Sequence, residues 1–302
     1  MKTTRTRTLS LLAALGLFTT CGVGCNKSNA DISPKPNEKM VADMRKNEAA
    51  GAAGGAAAGG ATGWGTLKGK FTYNGAPPPI LPMNVAVTPD CGVKQIPIES
   101  IRVDPSSKGL RDVVIYARKV SRVTPDYESG PKKDVYFDQK ECRYLSHVAA
   151  STLKDRFVIL NGDSATHNSK GSPGNGNPDY NGLIPAKTTA ESPAGQLVPA
   201  FKKATPFPYD VTCAIHPWMK AYHIVRNDPY VAVTTENGEF TIENLPAGEE
   251  IEFQVWHEKG AGEKGGLKAK AEWSSAGRFK MKIPENETAT LDIVVEPSAL
   301  LQ

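Results

Sequence analysis

A thiol, an imidazole and a thioether stand at three-residue intervals in Cys213-Ala-Ile-His216-Pro-Trp-Met219. Thiolate and imidazole suit zinc or copper, whereas the thioether is a soft donor that favours copper and is foreign to zinc sites. A trigonal copper centre takes two imidazoles and one thiolate with a weak axial thioether, so this stretch supplies three donors of four. The second imidazole must come from a distant position that a rigid strand holds in place. His167 meets that description, because it follows the strand-like run Arg156-Phe-Val-Ile-Leu and the turn residues Asn161-Gly162-Asp163. His147 is the reserve ligand, and His223 and His257 are assigned to structure. Taken singly, each residue has a plainer reading: Cys213 as a small buried apolar group, Met219 and Trp218 as core.

The elements that would position these donors read as strands. "GTLKGKFTYNG", "LRDVVIYARKV", "DRFVILNGD", "AYHIVRND", "YVAVTTENGEFTIENLPAGEEIEFQVWHE" and "TATLDIVVEP" carry β-branched residues at period two, with Gly, Pro, Asn and Asp between them. Amphipathic helices of useful length are not legible. Short strands punctuated by turns predict an all-β chain, an antiparallel β-sandwich or barrel. Residues 168–195, rich in Gly, Pro, Asn and Ser, read as one long surface loop that would shield the site, offer a docking surface or displace His167.

With these residues in view, the segment 110–228 resembles the cupredoxins, with a ligand loop of the amicyanin type: Cys-x2-His-x2-Met with Pro217 after the histidine. Asn161 and Asn168, six residues before and one after His167, also look like that family. The resemblance implies a Greek-key β-sandwich holding one type 1 copper, with His167, Cys213 and His216 equatorial and Met219 axial. It also implies that Asn168 ties the two loops together. Beside His216, Pro217 and Trp218 would limit water access and form an electron-exchange face.

The flanks resemble a second family. Residues 65–109 and 229–300 look like the two halves of a transthyretin-like, carboxypeptidase-regulatory-like β-sandwich. The resemblance implies Gly238 and Gly248 as positive-φ turn residues and Phe240, Ile242 and Leu245 as inward-facing or staple residues. The expected organisation is a cupredoxin-like domain inserted in, or packed with, this discontinuous sandwich.

The N-terminus reads as an export signal over residues 1–25: Lys2, Arg5 and Arg7 precede an apolar run from Leu9 to Thr20 that is too short to span a bilayer. Cys25 after Gly24 resembles a bacterial lipoprotein acylation site, and residues 26–64, ending in almost pure Ala and Gly, would be a flexible tether. Three positive charges of the formal +4 belong to that signal, and the nearly neutral remainder gives no reason to expect nucleic-acid binding. In an extracytoplasmic protein, periplasmic or at the cell surface, the two unclaimed cysteines Cys91 and Cys142 are expected to pair, with free thiols as the alternative.

These expectations describe a lipid-anchored electron carrier that exchanges electrons with an unidentified redox partner protein and touches the membrane only through its anchor. The alternative is a non-catalytic binding or structural β-sandwich lipoprotein with a degenerate metal site. An enzyme fits less well. A thiol hydrolase wants an exposed nucleophile and an Asn or Asp orienting His216, and a multicopper oxidase wants His-x-His clusters that the sequence lacks.

Overall fold

Along Trp64–Tyr73 (β1) the side chains of Leu67, Phe71 and Tyr73 are buried while Lys68 faces out, the period of two that a half-buried strand imposes. In the computed structural model, residues 63–84, 91 and 95–301 are described, and they fall within one unit, Ala58–Gln302. The expected export signal, Cys25 and nearly all of the Gly/Ala-rich tether lie outside the described residues.

The protein is all-β. After β1 come β2 (Pro82–Asn84), β3 (Gln95–Pro97) and β4 (Val114–Lys119), then a five-residue helix, α1 (Pro125–Ser129), capped by the Thr124 side chain. The middle of the chain gives β5 (Asp134–Phe137), β6 (Gln139–Lys140), β7 (Arg143–Tyr144), β8 (Val148–Thr152) and β9 (Arg156–Ile159). It continues with β10 (His167–Gly171), β11 (Tyr180–Ile184), β12 (Tyr209–Thr212) and β13 (Lys220–Arg226). The last strands are β14 (Val231–Val233), β15 (Glu239–Pro246), β16 (Glu250–Trp256), β17 (Arg278–Lys282) and β18 (Thr288–Val295). Among the described residues no helix is long and apolar enough to cross a membrane.

Two sheets enclose the first core. In the order β15-β1-β18, β1 runs antiparallel to β15 and parallel to β18; the facing sheet has the order β14-β4-β16-β17. Leu67, Phe71, Phe240, Ile242, Leu245 and Ile293 from one sheet pack with Ile115, Ile251, Phe253 and Val255 from the other. Each such fully buried side chain contributes about 1.5–3 kcal/mol of transfer free energy. Gly238 and Gly248 both have positive φ, at 77° and 78°. Strand β4, expected inside the segment 110–228, hydrogen-bonds instead to β14 and β16 of the flanking region. Its run Val114-Ile115-Tyr116-Ala117 is buried throughout, as a strand covered on both faces must be. Val114 and Tyr116 turn to the opposite face, where they join Trp256 against Val148, Tyr222 and Ile224.

The third sheet has the order β11-β10-β12-β13-β8, with β13 and β8 parallel and the other pairs antiparallel. Its inner face packs Ile184, Val211, Ala221 and Val225 against Phe137, Tyr144, Phe157 and Ile159. Residues 168–195 are therefore not one long loop, because β10 and β11 form a hairpin in the register His167↔Ile184 and Asn168↔Leu183. The glycines that suggested a loop have a packing reason. A Cβ on Gly171 would lie 2.5 Å from the Tyr180 ring, and one on Gly182 would lie 2.7 Å from Leu197.

Candidate metal centre

His167 is the first residue of β10, Cys213 follows the last residue of β12, and Met219 precedes β13. The sheet thus fixes both ends of the loop 213–219 and the upstream histidine beside it. The loop closes on itself: the Cys213 N–H donates to the Met219 carbonyl at 3.2 Å and the Met219 N–H to the His216 carbonyl at 2.9 Å. Asn168 joins the two segments through its Oδ1, which accepts the Ala214 N–H at 2.5 Å, while its Nδ2 donates to Asn181 on β11 at 2.5 Å.

Three donors converge. His167 Nδ1 and His216 Nδ1 are 2.8 Å apart, Cys213 Sγ is 3.8 Å from His216 Nδ1, and the three ligand atoms all lie within 4.8 Å of one another. The side chains are buried, with exposures of 0% for His167, 2% for Cys213 and 3% for His216. Met219 is buried in the same cluster as Cys213. Pro217 is exposed, and Trp218 is half-buried with its ring 5.2 Å from that of His216. His147 is not part of this group; its Nε2 lies 2.5 Å from Glu258, which also accepts from Tyr222.

Sequence reasoning missed Asp163. Its Oδ2 lies 2.7 Å from His167 Nε2 and accepts the Cys142 N–H at 2.8 Å, while Oδ1 accepts the Glu141 N–H at 2.6 Å. A carboxylate four residues before a candidate ligand was the available signal. With Nε2 engaged by Asp163, the His167 ring is held with Nδ1 turned towards His216 and Cys213. Asn161 stabilises this turn, its Nδ2 donating to the Ala165 and Ile184 carbonyls and its Oδ1 accepting the Asp163 N–H.

Electrostatics follow the same chain. Burial alone would raise the Cys213 thiol, but hydrogen bonds from His167 and from the backbone of Asn168, His216 and Ile215 hold it below its ordinary value. Burial disfavours the His167 imidazolium, yet its hydrogen bonds to Cys213 and Asp163 raise its pKa. Burial likewise opposes ionisation of Asp163, and His167 with the Cys142 and Glu141 N–H groups overcomes it. A thiol whose pKa is held down, beside two imidazoles whose Nδ1 atoms face each other at 2.8 Å, is a soft donor set of two nitrogens and one sulfur, and a metal entering it would displace the proton between the rings.

Cys91 and Cys142 are joined by a disulfide, with Cα atoms 5.5 Å apart. Its sulfurs lie 3.5 and 4.0 Å from His216 Nε2, a proximity that sequence did not suggest, and Trp218 Nε1 donates to the Cys142 carbonyl at 3.0 Å.

No family model matches the chain, and no curated protein matches it. Among solved structures, a reduced mutant of amicyanin is similar over 37% of this chain and 98% of its own, at 17% identity and a TM-score of 0.26. Amicyanin from Paracoccus versutus (Thiobacillus versutus) gives 18% identity and a TM-score of 0.25 over 37% of this chain and 97% of its own. A copper-containing nitrite reductase from Thermus scotoductus SA-01 gives 16% identity and a TM-score of 0.25, over 30% of this chain and 22% of its own.

Proposed function

We propose that the chain binds one copper ion through His167, Cys213 and His216, with Met219 as the axial ligand, and carries single electrons outside the cytoplasm. The observation that carries this reading is the convergence of two imidazole Nδ1 atoms and one thiol, all buried, within 4.8 Å. Copper in such a site supplies one-electron exchange between its cuprous and cupric states. The protein's contribution is fixity: β10 and the closed loop hold the donors, Asn168 links them, and Asp163 orients His167. Burial keeps water from the site.

The same chain Cys213–His167–Asp163 has the connectivity of a thiol nucleophile with its base and orienting acid. Cys213 is only 2% exposed, which denies a substrate access to the sulfur and favours the metal reading.

In this proposal the ligand-bearing sandwich is carried by a carboxypeptidase-regulatory-like one, a redox partner protein supplies and accepts the electron, and Cys25 bears a lipid anchor. Cupric ion added to the purified chain is expected to give an intense visible thiolate-to-copper band and narrow EPR hyperfine splitting, and Cys213→Ser to abolish both. Met219→Leu is expected to shift the potential while retaining the metal. Bound copper without the intense band, or equal loss of metal in the two variants, overturns the assignment. For the anchor, Cys25→Ala is expected to move the chain from the membrane to the soluble fraction; unchanged membrane association excludes lipid on that residue.

A further inference from the structure

The disulfide and the ligand loop share one imidazole ring. Whereas His216 Nδ1 faces His167 and Cys213, its Nε2 faces the Cys91 and Cys142 sulfurs at 3.5 and 4.0 Å. All three groups are buried, and their ligand atoms lie within 4.8 Å of one another. Cys142 is held in place independently of the bridge, through its N–H to Asp163 and its carbonyl from Trp218. As a disulfide the two sulfurs are poor donors. As thiolates they would complete, with an imidazole nitrogen, a three-coordinate soft set suited to a cuprous ion.

We propose that reduction of the Cys91–Cys142 disulfide creates a second, thiol-gated cuprous site formed by both sulfurs and His216 Nε2. An external dithiol attacks the S–S bond and delivers two electrons and two protons, leaving two cysteine thiols and its own disulfide. Cuprous ion then replaces the two thiol protons without changing its oxidation state. A neutral imidazole has a single ring lone pair, so engaging Nε2 puts the proton on Nδ1 and removes His216 from the first site. The thiol state of the pair therefore decides which side of the ring holds metal. Only this competition rests on the copper reading above, since the new donors include neither Cys213 nor His167.

The experiment uses the Cys213→Ser chain under anaerobic conditions, with the disulfide opened by a phosphine that is then removed. Cuprous ion is titrated against a chromophoric cuprous chelator. One ion per chain is expected after reduction and none before, with Cys142→Ser abolishing the uptake and His216→Ala weakening it by about tenfold or more. No uptake on reduction overturns the proposal. So does uptake indifferent to His216, which is how two thiols on an unfolded chain would behave, and so does loss of the near-ultraviolet circular dichroism on reduction. The cupric colour of the oxidised parent chain reports the first site separately, so either reading can fail without the other.

Discussion

Asp163→Asn is expected to weaken metal binding by about 10- to 100-fold while leaving every proposed ligand in the chain. The carboxylate accepts from three donors: the Glu141 N–H at one oxygen, and the Cys142 N–H and His167 Nε2–H at the other. An amide of the same shape has a single oxygen. If its NH2 replaces Oδ2, it opposes both the Cys142 N–H and His167, which then loses the contact fixing its tautomer. If it replaces Oδ1, the Glu141 N–H is orphaned instead, at about 1–3 kcal/mol. Competition titration with cupric ion, alongside a thermal melt to confirm folding, checks this. Affinity within threefold of the parent in a folded variant would mean that Asp163 does not orient His167.

Acid is expected to destabilise the metal-free chain through two histidines outside the site. Burial lowers the pKa of His223 to about 3 and that of His257 to about 4. His223 stacks on Phe157 at 3.7 Å and meets Ser151 and Tyr209 hydroxyls at 2.8 Å, so both ring nitrogens are satisfied in the neutral form. The sign follows from where the proton goes. Below the ordinary value of 6.5 the unfolded chain takes up protons that the folded chain refuses until pH approaches those lowered values. Stability is thus fully present above that ordinary value and falls on acidification by about 1.4 kcal/mol per pH unit for each histidine. Urea unfolding of the parent and of His223→Gln at a series of pH values isolates one of them, the variant's slope being shallower by that amount. Identical slopes would mean that His223 is not the buried neutral group described.

What was legible in the sequence divides along physical lines. The candidate donors Cys213 and His216 could be picked out because they are close neighbours in the chain, and His167 because turn residues mark a strand end, and the structure brings the three together. Phe240, Ile242 and Leu245 were singled out by the resemblance to a carboxypeptidase-regulatory-like pattern, and all three are buried. Strand β10 and its partner were read as loop because Gly171, Gly182 and the surrounding Asn residues have poor strand propensity, which packing of Tyr180 and Leu197 overrides. The pairing of β4 with β14 and β16 was not legible, since a strand buried on both faces carries no mark of which sheet it joins. The contact of the disulfide with His216 left no local trace, because it depends on three segments meeting in space.

The pairing of β1 has a consequence for biosynthesis. The two strands paired with it, Glu239–Pro246 and Thr288–Val295, both lie far downstream, so residues 64–70 must wait while the ribosome makes almost everything else, only Phe71 and Tyr73 finding earlier partners in Leu110 and Lys108. Until Val295 has emerged the outer sandwich cannot close, and a chain interrupted before Thr288 presents a bare strand edge, the kind of surface on which polypeptides aggregate.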